Sequence, residues 1–217
     1  MRRALVPFLL LALLVTGRSA AQTCLGMPSF ANGRMQLAPG IAIADGATSY
    51  GGSVGYGAPA SFYGAAGFSA TDYEDVVASA ENVSVSAGYQ VPLQAGRAEL
   101  CPLASLSLGW GPDDLLGPGV DVSNRTVAVG AAFGVVLGHG SRVQLMPTAS
   151  FLLASTRLTL DNGIQSGSDS DGYGALTLGT GFVFSSRYSL NPSVTIPVGL
   201  SGSDPSFGLQ AGIHFGR

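Results

Sequence analysis

The sequence predicts an all-β protein: an antiparallel, up-and-down transmembrane β-barrel of about ten strands, eight being the other count the pattern allows. Three observations carry this. Apolar residues recur at every second position over segments of about ten residues, the period of a strand with one apolar face. Of 217 residues, 46% are hydrophobic and only 11% charged, with 32 glycines and no lysine, whereas a soluble domain carries about 25% charged residues. After the first 17 residues no continuous apolar run occurs, so the ~20-residue span that a membrane helix needs is missing.

Residues 1–21 read as a secretory signal. Arg2-Arg3 is the charged start, Ala4 to Gly17 the apolar run, and Ser19-Ala20-Ala21 a small-residue cleavage site, so the mature chain is expected to begin at Gln22. An apolar run of about 14 residues is short for a membrane anchor. Removing the signal leaves seven arginines against 13 acids, a net charge of −6. Without basic clustering, nucleic acid is not expected as a partner.

Residues 22–33 show no period and form an irregular leader containing Cys24, Pro28 and Phe30; the barrel domain is residues 34–217. The first strand, Arg34–Ala44, turns Met35, Leu37, Pro39, Ile41 and Ile43 outward, and Asp45-Gly46 is a hairpin signal. The second, Thr48–Gly57, points Tyr50, Val54 and Tyr56 outward; the third, Ser61–Ala70, points Phe62, Ala66 and Phe68. A polar connection over Thr71–Ala80 leads to the fourth, where Val83, Val85, Ala87, Tyr89 and Val91 oppose Asn82, Ser84, Ser86, Gly88 and Gln90. In the fifth, Leu100 to Trp110 alternate against Glu99, Cys101, Leu103, Ser105, Ser107 and Gly109.

After Gly111–Ser123, the sixth strand points Val127, Val129, Ala131, Phe133, Val135 and Leu137 outward, and His139-Gly140 marks a tight turn. The seventh runs from Arg142 to about Leu160, followed by a long polar loop over Asp161–Asp171. The eighth, Gly172–Phe184, the ninth, with Tyr188, Leu190, Val194, Ile196 and Val198, and the tenth, Phe207–Phe215, complete the set. The last strand should pair with Arg34–Ala44. Connections alternate short and long, as in barrels with short periplasmic turns and longer extracellular loops. Tyr56, Phe62, Tyr89, Phe184, Tyr188 and Phe215 fall near the short-turn end; Tyr50, Phe68, Trp110, Tyr173 and Phe207 fall near the other, as interfacial girdles would.

The chain resembles the small bacterial outer-membrane β-barrel proteins, porin-like barrel domains, over Arg34–Arg217, with Phe207–Phe215 the most specific piece. In that family the last strand usually ends the chain on an aromatic; here Gly216-Arg217 follow Phe215. The resemblance implies a bacterial outer-membrane location, with membrane lipid and the barrel-insertion machinery as partners. Two features oppose it. Pro39, Pro102, Pro147, Pro192 and Pro197 fall inside strands, where each deletes a ladder donor. A secreted β-sandwich shares the alternation, although it would want more surface charge.

Placed on a barrel, the charges separate. The acids gather at the outer loops, among them Asp72, Glu74, Asp75, Asp113, Asp114, Asp169 and Asp171. Arg34, Arg97, Arg142, Arg187 and Arg217 fall at the periplasmic end, and only Arg125 and Arg157 lie near the outer side. Ser168-Asp-Ser-Asp-Gly172 has the look of a calcium loop, but Gly167 stands at its first position and Leu178 at its twelfth, so the pattern fails. No metal and no cofactor are expected. Inward rows of Gly, Ala, Ser, Thr, Asn and Gln lack the charged rings of selective channels.

No G-x-S-x-G elbow frames a serine, and without lysine a Walker phosphate loop is impossible; no enzymatic role is expected. Export places Cys24 and Cys101 in an oxidising compartment. Both lie on the periplasmic side, and a disulfide between them would tie the leader across or into the lower barrel mouth; two free thiols are the other reading. Arg97, Glu99, Arg142 and His214 share that rim as a polar cluster that could pair around the leader. The function expected is a structural barrel or a narrow passive channel for small solutes. The other is a surface-exposed binding or adhesion protein using its acidic loops.

Overall fold

The computed structural model describes Cys24 and residues 34–58, 61–74, 79–93, 97–112, 119–138, 142–163, 166–184, 187–199 and 204–215. The expected signal peptide, the leader apart from Cys24, the turn at His139-Gly140 and the C-terminal Gly216-Arg217 lie outside these residues.

Eleven strands follow one another: β1 (Met35–Ala44), β2 (Ala47–Gly57), β3 (Phe62–Tyr73), β4 (Ser79–Tyr89), β5 (Val91–Leu93), β6 (Ala98–Trp110), β7 (Asp121–Val135), β8 (Val143–Asp161), β9 (Ser166–Phe184), β10 (Tyr188–Val198) and β11 (Ser206–Phe215). β4 and the three-residue β5 both pair with β6 and act as one interrupted stave, so the wall has ten. Each stave pairs antiparallel with its neighbour in sequence, and β11 returns to β1, with Met35 opposite Phe215 and Ile43 opposite Phe207. The sheet closes as an up-and-down barrel, with the expected first and last strands at the seam.

Burial runs opposite to that of a soluble sandwich. Phe207, Leu153, Tyr188, Phe215 and Val129 are more than half exposed, while the buried side chains face inward, among them Gln36, Glu99, Ser189 and His214. A contiguous exposed apolar belt of this extent marks a surface made for another apolar phase. The exposed apolar positions span from seven residues, Phe62–Phe68 on β3, to eleven, Leu100–Trp110 on β6, near the nine to eleven that a tilted strand needs to cross a bilayer. At the end carrying the termini, Phe62 and Tyr89 are cross-strand partners with ring centroids 4.8 Å apart in an edge-to-face arrangement.

The strand prolines fit because the ladder makes room for them. Pro39 keeps register with Gly52, while the β1–β11 ladder skips Ala38 and Pro39. Pro192 keeps register with Leu209, and the β9–β10 ladder skips it. Pro102 pairs with Ala131 and lies opposite the break between β4 and β5. Pro147 and Pro197 pair with Thr180 and Ala175, and each lies just past the end of the ladder on its other side. Each proline therefore stands beside a gap or an end, where no backbone donor is required.

Three connections are shorter than the sequence pattern predicts, one of them because Asp121–Ser123 belong to β7. Thr71–Tyr73 and Ser79–Ala80 are strand, not loop. β8 and β9 stay paired up to Asp161 opposite Ser166, so most of the expected loop over Asp161–Asp171 is strand and each arm is 19 residues long. Ser168-Asp-Ser-Asp-Gly172 lies within β9 with its residues exposed, a second reason it cannot wrap a cation. Tyr173, expected in the outer girdle, is opposite Ala154 on the inner face, out of phase with the outward Leu176 and Leu178.

Candidate functional site in the barrel lumen

The inner wall is stitched by polar side chains. Alternation directs serine, threonine and asparagine inward from adjacent staves, and cross-strand neighbours meet. Ser49 and Thr71 hydroxyls lie 2.7 Å apart, those of Thr126 and Thr156 2.7 Å, and those of Thr177 and Thr195 2.9 Å. Asn82 Nδ2 donates to Ser107 Oγ at 2.6 Å, and that hydroxyl returns a bond to Asn82 Oδ1 at 2.9 Å. Such pairs satisfy polar groups locally and hold the staves in register.

Two adjoining cavities of about 290 and 410 Å³ share Ser53, Gly67, Ser84, Asn191, Ser193 and Gln210 as lining, and among the described residues no charged side chain lines either. Cys24 reaches the smaller one.

Toward the end carrying the termini the lumen fills. Cys24 and Cys101 are joined by a disulfide, and both are buried. They cluster with Tyr63 and Ala132, with Leu103 packed alongside. The bond crosses the interior, because Cys24 precedes β1 whereas Cys101 is on β6, the fifth stave round the wall. Tyr63 lies over Gly88, its partner on β4, where a Cβ would collide with the phenol ring. A second apolar group, Val136, Met146 and Val183, fills the wall of β7 to β9.

The third patch is polar. His214 Nε2 lies 3.1 Å from Ser189 Oγ, and Gln36 stands opposite His214 in the ladder. Gly212 leaves the room: a Cβ there would strike Ser189 Oγ and come within 3.1 Å of Gln36 Nε2 and His214 Nε2.

The four residues expected as a rim cluster therefore divide. Glu99, with no exposed surface, and His214 are inside, on β6 and β11, whereas Arg97 and Arg142 stay exposed at the rim. Their expected pairing around the leader falls on residues that, apart from Cys24, lie outside those described. Cys24, Glu99 and Cys101 bring three potential ligand atoms within 4.8 Å, but both sulfurs are committed to the disulfide and neither is a thiolate, the form that binds metal. Sequence reasoning missed Tyr63, Met146, Val183, Gln36 and Ser189. Val183 carried a signal, being a branched apolar residue after Ala175, Thr177, Gly179 and Gly181 on the inward row of β9.

Among the described residues the acids at the other end do not converge. Asp72, on β3, accepts a hydrogen bond from Tyr50 Oη. Glu74 is exposed in the β3–β4 turn, with its backbone N–H on Gly46 O at 2.9 Å. Asp169 accepts from the Ser170 N–H at 2.8 Å, and Asp171 is exposed two residues on. Asp75, Asp113 and Asp114 lie outside the described residues. Among the described residues no three acids gather as a ligand set.

No family model matches the chain, and no curated protein matches it in sequence. Its structure is similar to the β domain of the Bordetella autotransporter BrkA, at 13% identity and a TM-score of 0.53, covering 84% of this chain and 99% of that one. It is also similar to the translocator domain of the autotransporter NalP from Neisseria meningitidis, at 12% identity and a TM-score of 0.50, covering 84% and 87%. The N-terminal β-barrel domain of Pseudomonas aeruginosa OprF matches at 18% identity and a TM-score of 0.42, covering 85% and 100%. The likeness is one of fold. By that fold, the chain is a closed antiparallel up-and-down barrel.

Proposed function

We propose that the protein is a non-enzymatic structural barrel of the bacterial outer membrane, with a polar recess that opens outward and is closed at the periplasmic end. The observation that carries this reading is the distribution of buried side chains. Cys24, Tyr63, Glu99, Cys101, Met146, Val183 and His214 fill the end that carries the termini, while the rest of the lumen is lined by small uncharged residues around cavities. The exposed apolar belt supports lipid as the surrounding phase, and the short turns at the termini support a periplasmic placement of that end. Export by a signal over residues 1–21 and delivery by the barrel-insertion machinery belong to the same reading. Small solutes would enter the recess without crossing.

The test is planar-bilayer conductance of the oxidised protein. Silence is expected; steady single-channel steps would overturn the closed recess and make the protein a narrow passive channel.

A second reading, surface binding, draws support from the β8–β9 hairpin. Its outer half projects beyond the belt and exposes Ser155, Arg157, Asp161 and all of Ser166–Gly172. Loss of attachment to host cells on shortening this hairpin, with the folded barrel retained, would favour it.

A further inference from the structure

On the outside of the wall, β7 and β8 place two arginines face to face. Arg125 and Arg157 are direct cross-strand partners, both exposed and both on the outward face. Like charges directly opposite each other destabilise a strand pair. Neither arginine makes an ion pair among the described residues: Arg157 Nη2 donates to Ser168 Oγ at 3.0 Å, and Arg125 makes no side-chain contact of this kind.

Their height is informative. Val127 and Val129 on β7, and Leu153 and Phe151 on β8, belong to the apolar belt. On β7 the arginine row lies one row beyond Val127, whereas on β6 Leu108 shares that row and Trp110 lies one row farther out, an aromatic edge of the kind found at lipid headgroups. Leu108, opposite Arg125, and Trp110, opposite Ser123, continue the surface onto β6. Together with Thr159 these residues border a cleft of about 410 Å³ on the outer wall. Two rows farther out, Asp121 and Asp161 are partners on the same face, so the basic row is bounded by hydrocarbon below and by acid above. A ligand held there needs an anionic group at one height, beside Leu108, and an apolar tail running down past Val127 and Leu106.

We propose that Arg125 and Arg157, flanked by Trp110, bind the phosphate of a phosphorylated lipid headgroup in the outer leaflet. Two guanidinium groups offer paired N–H donors to phosphate oxygens, and the anion removes the repulsion between them. The acids above exclude a phosphate from rising toward solvent. The inference rests on the membrane-barrel reading, and its test separates the two.

The experiment uses the full mature chain in neutral detergent micelles. Quenching of Trp110, the single tryptophan, is measured with brominated phosphatidic acid and with brominated phosphatidylcholine. The wild type is expected to favour phosphatidic acid by about tenfold, and the Arg125→Gln/Arg157→Gln variant to lose that preference. Inorganic phosphate at millimolar concentration is expected not to displace the lipid; displacement would assign the site to free phosphate and overturn the lipid assignment. Equal quenching by both lipids in the wild type, or an unchanged preference in the variant, would also overturn it. Faster migration of unboiled than of boiled protein, in both forms, reports the folded barrel. Its absence in the wild type would overturn the barrel reading and with it the site.

Discussion

Replacing Leu178 with arginine tests the inverted burial most directly. Leu178 is on the outward face of β9, 46% exposed, between Ala149 of β8 and Val194 of β10. Along the same face it lies roughly midway between Phe184, at the end with the termini, and Ser170, on the projecting hairpin. An arginine on the lipid face of a barrel costs about 2–4 kcal/mol at the bilayer middle and about 0–1 near the interfaces. Leu178→Arg should therefore lower the folded-to-unfolded ratio by about 30- to 700-fold. Ser170→Arg, beyond the belt, should lose at most about 1 kcal/mol. Urea-dependent folding into phosphatidylcholine vesicles measures both, with Trp110 as the reporter because it is the single tryptophan and sits half-exposed on the outer wall. If the two variants lose the same stability to within about 0.5 kcal/mol, the outward row does not face lipid and the membrane argument fails.

Other outcomes follow from the closed end. Cys24 and Cys101 are 77 residues apart, so Cys24→Ser should remove up to about 4 kcal/mol by loop-entropy reasoning. The urea midpoint of wild type in reductant should then converge on that of the variant, and unchanged midpoints in both would count against a stabilising bond. Gly88→Ala forces a methyl into the Tyr63 ring and should cost about 1–3 kcal/mol as overpacking. Adding Tyr63→Ala should recover at least about 0.5 kcal/mol of that loss in a double-mutant cycle; strict additivity would refute the contact.

Much of the wall was legible because hydrophobic period and side-chain facing are the same physical fact. Met35 to Ile43 and Phe207 to Phe215 announced both their outward rows and their place as closing partners. The disulfide followed from compartment and from the end at which each cysteine falls. The hairpin was not legible, since Ser166–Gly172 is polar on both faces and a ladder formed in water leaves no apolar alternation to read. Tyr173 was misplaced for a related reason: its phase could be fixed only by extending β9 through that polar stretch. The divided rim cluster shows a different limit. Glu99 and Arg97 are two residues apart, yet one is enclosed and the other exposed, because the inner fill stops between them. Sequence spacing carries no measure of that depth.

The β1–β11 seam has a consequence for the order in which the molecule can be made. Every other junction in the wall joins sequence neighbours, whereas this one pairs residues 35–43 with 207–215. Hairpins can zip locally as the chain emerges, but contacts between its two ends wait for the last strand. Until then the growing sheet has two raw edges, each a template for pairing with another chain and each intolerable in hydrocarbon. The wall therefore has no edge-free state until β11 meets β1. A copy lacking β11, Ser206–Phe215, would keep nine-tenths of its wall and still have no inside.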